Sequence, residues 1–262
     1  MRACEAKKQF LKVMRQFHRH QPWRVFADFC EMAALSLYNV VPQSHEVERQ
    51  YSKVVEGYSP EEMELFPKLL ALAVEALDRE YCDFLGDVFQ ELELHNHWKG
   101  QFFTPLDVCK AIAAMQLDGV KAAIERKGFV TVQEPACGAG AMLIGLCEAM
   151  RDAGVNYQEH MHVTAIDVDP TAAQMCYIQL TLLHVPAVVF IGNTLSLELR
   201  QAYKTFAHHI GFWDSKLSRG HLLGYEPSGE PLLAEAPCEE QRAEPDVVLD
   251  PVQLDLFEEA TA

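Results

Sequence analysis

Residues 130–140 read VTVQEPACGAG, and this stretch decides the fold expected of the chain. A β-branched apolar run ends in the acidic Glu134, and Gly138 and Gly140 follow before an apolar segment with helical spacing. This order predicts a buried strand, a turn that favours glycine, and a helix. Such a corner exposes backbone N–H groups at a helix N-terminus and is typical of nucleoside binding.

The alternation of strand and helix continues beyond this corner. Apolar runs predict strands at Phe129–Gln133, Met161–Ile166 and Val188–Ile191, with helices between them. Strands separated in this way form a parallel sheet through right-handed crossovers. The fold class is therefore expected to be α/β.

The sheet is expected to be short. The segment Leu197–His209 is expected to be helical, and no fourth strand is predicted. The first strand would then be an open edge, which is unfavourable unless it is covered. The N-terminal helices, the Phe206–Trp213 segment or another copy of the chain could cover it.

Three regions are expected along the 262 residues. Residues 1–99 have helical patterning, including a helix start at Ser59-Pro60, and are expected to form a helical N-terminal domain. Residues 100–220 would form the cofactor-binding domain. Residues 221–262, rich in proline and acids, are predicted to be a disordered acidic tail.

Composition excludes several classes of protein. The net charge is −16, much of it in the tail, and argues weakly against tight DNA binding without excluding it. No apolar run reaches the roughly 20 residues of a membrane helix, so no membrane association is expected. Eight cysteines without a C-x-x-C pair indicate reduced thiols, a cytoplasmic location and no structural metal.

The sequence of the glycine turn restricts the class of ligand that it can bind. A dinucleotide fingerprint would place a third glycine at position 143, where this chain has Leu143, and a G-K-S/T phosphate loop is absent. A nucleoside without phosphates fits better. Asp167, at the end of the second strand, can accept both ribose hydroxyls. Its alternative role is a helix cap ahead of Pro170, which Asp169 would serve equally.

Several short motifs extend this pattern to a known family. They read DFLGD at 83–87, GQFFTP at 100–105, EPACGAG at 134–140, DVDP at 167–170 and GNTL at 192–195. In this order and spacing they resemble the adenine-N6 DNA methyltransferases, and most closely the modification subunit of type I restriction-modification systems. The resemblance implies a Rossmann-like S-adenosylmethionine-dependent methyltransferase fold preceded by a helical domain.

The resemblance also implies S-adenosylmethionine as the cofactor and a contact for each of its parts. The FFTP segment would line the methionine end of the cofactor. The glutamate and the glycines of the turn would hold its amino acid moiety. An aspartate would contact the ribose, and an asparagine would contact the adenine edge. The implied residues are Phe102, Phe103, Thr104, Pro105, Glu134, Gly138, Gly140, Asp167 and Asn193. Taken singly, the phenylalanines could be core residues, Thr104-Pro105 a helix start and Asn193 a turn residue.

The second half of the expected active site is missing. The family binds the target adenine with an Asp/Asn-Pro-Pro-aromatic tetrapeptide, and this chain has no proline between Pro186 and Pro227. Glu226-Pro227 and Asp250-Pro251 lack the second proline and the aromatic residue. No catalytic residue is identified. The protein could methylate DNA with a partner, or it could be an inactive relative that acts as a scaffold, a sensor or an accessory of restriction-modification or replication.

One short motif in the tail resembles a docking peptide. It reads QLDLF and comprises Gln253, Leu254, Asp255, Leu256 and Phe257. It is similar to the peptide that binds the bacterial sliding clamp, presented on a flexible tether. A chance cluster, or a segment that folds back on the open sheet edge, is the alternative. The expected partners are therefore DNA, directly or through a partner, the sliding clamp, and restriction-modification subunits or a second copy.

Overall fold

A computed structural model describes residues 2–93 and 104–222 of the chain. The first range contains six helices: α1 (Ala3–Met14), α2 (Pro22–Asn39), α3 (His45–Val55), α4 (Pro60–Met63), α5 (Phe66–Arg79) and α6 (Phe84–Glu93). The second range begins with α7 (Leu106–Lys127), β1 (Val130–Glu134), α8 (Ala141–Asp152), α9 (Tyr157–His160) and β2 (Met161–Asp167). It continues with α10 (Pro170–Leu182), β3 (Ala187–Asn193), β4 (Glu198–Lys204), α11 (Phe206–Ile210) and α12 (Trp213–Leu222).

The four strands form one sheet in the order β1-β2-β3-β4. β1 pairs with β2 and β2 with β3 in parallel, with Val130 opposite Met161 and Val163 opposite Ala187. The α/β class and the three predicted strands are confirmed, with bounds shifted by one or two residues.

The prediction of a helix at Leu197–His209 was wrong for most of that segment. Residues Glu198–Lys204 form β4, which pairs antiparallel with β3. The residues have helical propensity, but Tyr203 is fully buried and stacks on Tyr177 with ring centroids 5.0 Å apart. Tertiary packing therefore outweighs local propensity. A turn at Asn193, whose side-chain oxygen accepts the Leu195 N–H at 2.9 Å, begins the hairpin.

β1 lies at one edge of the sheet, as expected. Within residues 2–93 and 104–222, only β2 pairs with it. None of its five residues is fully buried, and Thr131 and Gln133 are exposed. Phe129, which directly precedes β1, is covered by the buried Trp213. The two rings pack edge-on with centroids 5.4 Å apart.

Helix α10 links the sheet to the N-terminal helices. It packs on β2 and β3 and also on α2, and every residue from Ala172 to Thr181 is buried. Beneath it, Phe10 of α1 packs edge-on against Phe29 and Phe84. The division of the chain near residue 99 remains a prediction. In the parts of the chain that the structure describes, no helix has the length and apolar composition to cross a membrane.

The predicted helix start at Ser59 is confirmed. The Ser59 hydroxyl accepts the Glu62 N–H at 3.3 Å, and the Glu62 carboxylate accepts the Ser59 N–H at 2.9 Å. This reciprocal pair is a capping box that fixes the first turn of α4.

A buried histidine pair anchors α11 and α12 to the sheet. His162 Nε2 of β2 lies 2.9 Å from His208 Nδ1, and His208 Nε2 lies 3.1 Å from an Asp214 oxygen. The carboxylate only accepts, so neutral His208 holds its proton on Nε2, and His162 donates to His208 Nδ1. Burial, followed by the charge of His208, lowers the pKa of His162 to about 3.

This pair predicts acid sensitivity. The pKa of His162 is about 3 in the folded protein against an ordinary value of 6.5, so the folded state resists a proton that the unfolded chain accepts. Protonation of His162 in the unfolded chain therefore lowers the free energy of unfolding as the pH falls below 6.5, by about 2 kcal/mol near pH 5. Urea unfolding at several pH values should show a shallower decline for His162→Gln, which keeps a donor for His208. Parallel curves for the two proteins would contradict this assignment.

Candidate functional site

The glycine turn joins β1 to α8 in a conformation that other residues adopt poorly. Gly138 has φ 53° and Gly140, the N-cap of α8, has φ 100°. A Cβ atom built on Gly140 would lie 3.1 Å from the Cys176 sulfur of α10. Both positions therefore favour glycine, one for its backbone angles and the other also for space.

Asp167 connects the end of β2 to this turn. One carboxylate oxygen accepts the Gly138 N–H at 2.8 Å, and the other accepts the Asp169 N–H at 2.9 Å. The helix-capping role belongs to Asp169, whose side chain accepts the Thr171 and Ala172 N–H groups. Each oxygen of Asp167 retains capacity for further hydrogen bonds.

A buried amide supports the turn from below. Gln179 of α10 is fully buried and donates to the Ala139 carbonyl at 2.8 Å and to Asp83 Oδ1 at 2.8 Å. Its side-chain oxygen accepts the Leu85 N–H at 3.1 Å. One side chain thus joins α10, the glycine turn and the start of α6.

Asp83 completes this network. It caps α6 by accepting the Gly86 N–H at 3.0 Å, and a Cβ atom built on Gly86 would collide with its carboxylate. Burial raises the pKa of Asp83 to about 6, although the bonds from Gln179 and Gly86 oppose that shift.

The start of α7 lies close to the turn. Pro105 is the N-cap, and the Thr104 carbonyl accepts the Cys109 thiol at 3.7 Å. Burial, followed by the charge of Asp83 and a smaller contribution from Glu134, raises the pKa of Cys109. Close packing fixes this arrangement, because a Cβ at Gly145 of α8 would lie 3.1 Å from the backbone at Cys109 and Lys110.

The end of β3 borders the same turn. Asn193 closes β3, and its side-chain oxygen accepts the Leu195 and Ser196 N–H groups. The next residue, Thr194, donates its hydroxyl hydrogen to the Pro135 carbonyl at 2.6 Å. The ends of all three parallel strands are therefore joined.

The corner is acidic. Burial, with a smaller contribution from the charge of Asp167, raises the pKa of Glu134, whose side chain also accepts the Ala136 N–H at 3.4 Å. Carboxylates at the ends of β1 and β2 suit a ligand that carries positive charge and vicinal hydroxyls. No group of three or more potential metal ligands occurs among the described residues.

The structure brings Glu134, Gly138, Gly140 and Asp167 together and joins Asn193 to them through Thr194. Thr104 and Pro105 begin the helix that packs beside them. Phe102, Phe103 and the Gln253–Phe257 peptide lie outside the described residues. Their predicted roles, and the cofactor contacts as a whole, stay predictions.

Two residues of the corner were missed from the sequence. Gln179 and Cys176 both lie on α10, and their contacts to the turn depend on the crossover that places α10 beside it. The available signal was a glutamine inside a strongly apolar helical segment, since a buried amide needs hydrogen-bond partners.

A comparison with protein families finds a match over the part of the chain that contains this corner. The family model described as N-6 DNA Methylase matches residues 81–210, which are 130 of the 262 residues. The match supports the adenine-N6 methyltransferase family, and that family implies S-adenosylmethionine as cofactor. None of the curated proteins matches the chain.

One solved structure is a candidate class I S-adenosylmethionine-dependent methyltransferase from Listeria monocytogenes. It is 17% identical, with a TM-score of 0.36, over 70% of this chain and 52% of that protein. The chain thus spans about half the length of the solved structure it matches. A likeness this partial carries no argument about residue roles.

Replacing Gln179 by alanine should destabilise the protein strongly. The change leaves the Leu85 N–H, the Ala139 carbonyl and the Asp83 carboxylate without their buried partner, which costs about 3–5 kcal/mol. Chemical denaturation measures the loss. The control is Gln174→Ala in the same helix, which removes a side chain bonded to Tyr203 and should cost about 1–2 kcal/mol. Equal losses for the two variants would contradict the proposed importance of Gln179.

Proposed function

We propose that the protein binds S-adenosylmethionine at the corner formed by Glu134, Gly138, Gly140 and Asp167, and takes part in adenine-N6 methylation of DNA. The observation that carries the proposal is the bond from the Gly138 N–H to Asp167, which joins a left-handed glycine turn to a carboxylate at the end of β2. The match of residues 81–210 to the N-6 DNA methylase family supports the same chemistry.

The residues present fit the cofactor. Gly138 and Gly140 leave the backbone of the turn open to a ligand, and Asp167 would accept the ribose hydroxyls with its remaining lone pairs. Glu134 would accept the ammonium group of the methionine moiety and Asn193 would contact the adenine edge. When bound, the cofactor supplies an electrophilic methyl group for transfer.

The residues that hold the target adenine must come from outside this stretch of sequence. An exocyclic adenine amine is a weak nucleophile, and it needs hydrogen-bond acceptors and a stacking surface that hold it near the methyl group. The chain has no Asp/Asn-Pro-Pro-aromatic tetrapeptide. We therefore propose that methylation of DNA requires a partner protein, for which a subunit of a restriction-modification system is the first candidate.

The missing tetrapeptide also favours a second function. A relative that keeps the cofactor corner without the acceptor site would act as a scaffold or a sensor of S-adenosylmethionine. The two functions share cofactor binding and differ in methyl transfer.

We further propose that Gln253–Phe257 docks the protein on the bacterial sliding clamp. The support is the sequence itself, in which a glutamine is followed by a leucine–phenylalanine pair in an acidic, proline-rich region.

Cofactor binding should depend on the charge of Asp167. Asp167→Asn keeps an oxygen that can accept the Gly138 N–H but removes the carboxylate, so the affinity for S-adenosylmethionine should fall about tenfold or more. Titration calorimetry measures the change. Asp169→Asn is the matched control, because asparagine also caps a helix, and its affinity should stay within about twofold of wild type. Equal affinities for the two variants would contradict the assigned role of Asp167.

The two functions are separated by the fate of the methyl group. Transfer of a tritiated methyl group to DNA, with a candidate modification partner supplied, would support the enzyme. Cofactor binding without transfer under those conditions would support the sensor or scaffold. Absence of cofactor binding by the folded wild type would contradict both.

Clamp docking should require the apolar pair of the tail. In surface plasmon resonance with immobilised sliding clamp, the full chain should bind, and Leu256→Ala with Phe257→Ala should abolish binding because the apolar anchors are lost. Val252→Ala, one residue outside the peptide, is the control and should bind like wild type. A wild-type chain without affinity for the clamp would refute the proposal.

A further inference from the structure

Two cysteine side chains meet beneath the glycine turn. Cys137 belongs to the turn itself, directly before Gly138, and Cys176 lies on α10. Both thiols are free, and a hydrogen bond joins them. Cys176 is fully buried, whereas Cys137 keeps 7% of its surface exposed within the described residues. Two sulfur atoms therefore lie side by side at the corner, and one of them is nearer to solvent.

The backbone holds this pair in place from both sides. In the turn, the Cys137 N–H donates to the Ile166 carbonyl at 2.9 Å, and the Cys137 carbonyl accepts the Gly140 N–H at 2.8 Å. On α10, the Cys176 sulfur lies 3.1 Å from the place that a Cβ atom of Gly140 would take. A disulfide forms only between cysteines whose side chains can point at each other, and this pair meets that condition.

The surroundings give the two sulfurs different chemistry. The hydrogen bond with Cys137, followed by burial, raises the pKa of Cys176 well above its ordinary value. The charges of Cys137, Asp83 and Asp167 act in the same direction. Cys176 therefore keeps its hydrogen and donates it to the Cys137 sulfur. Because the thiolate is the form that attacks an oxidant, Cys137 is the sulfur that reacts first, and Cys176 reacts second.

We propose that Cys137 and Cys176 form a reversible disulfide when a peroxide oxidises the protein, and that this bond lowers the affinity of the corner for S-adenosylmethionine. The effect on affinity rests on the cofactor site proposed above. The formation of the bond does not.

The oxidation takes place in two steps. The Cys137 thiolate attacks one oxygen of hydrogen peroxide, the O–O bond breaks, and a sulfenic acid forms. The hydroxide that leaves takes up the proton that Cys137 released and becomes water. The Cys176 sulfur then attacks the Cys137 sulfur, the S–O bond breaks, and the hydroxyl group leaves with the Cys176 proton as a second water. Two thiols are thus oxidised to one disulfide, and one peroxide is reduced to two waters.

The disulfide acts on the cofactor site through Gly138. A disulfide holds its two sulfurs at about 2.05 Å, which is closer than a hydrogen bond between thiols allows. Cys176 is fixed in a fully buried helical segment, so the turn is the part that moves. Gly138 follows Cys137 directly and donates its N–H to Asp167 at 2.8 Å. Movement of the turn weakens this bond, and Asp167 loses a partner that orients it.

Peptide mapping tests the formation of the bond. The full-length protein is treated with hydrogen peroxide and unfolded, its remaining thiols are blocked with N-ethylmaleimide, and its peptides are analysed by mass spectrometry. A pair of peptides linked through Cys137 and Cys176 should appear, and dithiothreitol should separate it. Cys147 of α8, which is also fully buried, should be recovered in the blocked form. Absence of the linked pair from the oxidised wild type would overturn the proposal.

Titration calorimetry tests the effect on the cofactor. Oxidised wild type should bind S-adenosylmethionine about tenfold or more weakly than reduced wild type. Dithiothreitol should restore the affinity, which distinguishes the disulfide from oxidation of methionine. Cys137→Ala and Cys176→Ala cannot form the bond, so peroxide should leave their affinities unchanged. Cys147→Ala is the matched control and should respond to peroxide like wild type. A linked wild type with the affinity of the reduced protein would refute the effect on binding.

Hydrogen exchange separates this proposal from the proposed cofactor site. Without cofactor, the Gly138 amide should exchange faster in the oxidised than in the reduced protein, because its bond to Asp167 is weakened. If the reduced wild type does not bind S-adenosylmethionine, the proposed function fails, while the linked peptides and the exchange rate still decide the redox proposal. Equal exchange of the Gly138 amide in the two forms would contradict the movement of the turn.

Discussion

The Gln179 side chain is the contact on which the site's geometry depends most. It is buried without exposure and satisfies groups from three places in the chain: the carbonyl of Ala139 in the turn, the N–H of Leu85 in α6 and the carboxylate of Asp83. An amide can do this because it donates and accepts from one end. The glycine turn is therefore held by the helical region as well as by the sheet, and its position follows from how α10 packs.

The carboxylates near the turn have different environments and different consequences. Asp83 is buried, and its raised pKa means that its charged form costs stability near neutral pH. Asp167 instead accepts two backbone N–H groups and faces the turn. Asp169 caps α10. Three aspartates close in space thus have three roles, which are structural support, orientation of the turn and helix termination.

Much of the sheet and of the corner could be predicted from sequence because their signals are local. The run ending at Glu134, the glycines at 138 and 140 and the acid at 167 all follow from strand, turn and helix chemistry. Strand β4 could not, because Glu198–Lys204 is built from helix-forming residues, and it becomes a strand only through pairing with β3 and burial of Tyr203. The same holds for Gln179, whose partners at Asp83 and Ala139 are 96 and 40 residues away in sequence.

The burial of α10 has a consequence for synthesis of the protein on the ribosome. Ala172–Thr181 has no solvent-facing side, so the apolar side chains of this helix stay exposed until both of its neighbours exist. Helix α2 is already complete when α10 emerges, whereas β3 at Ala187–Asn193 follows later. The N-terminal helices can therefore bury one face of α10 while the other face is still exposed to solvent and able to aggregate. In that order of events, the helical region assists the folding of the sheet that follows it.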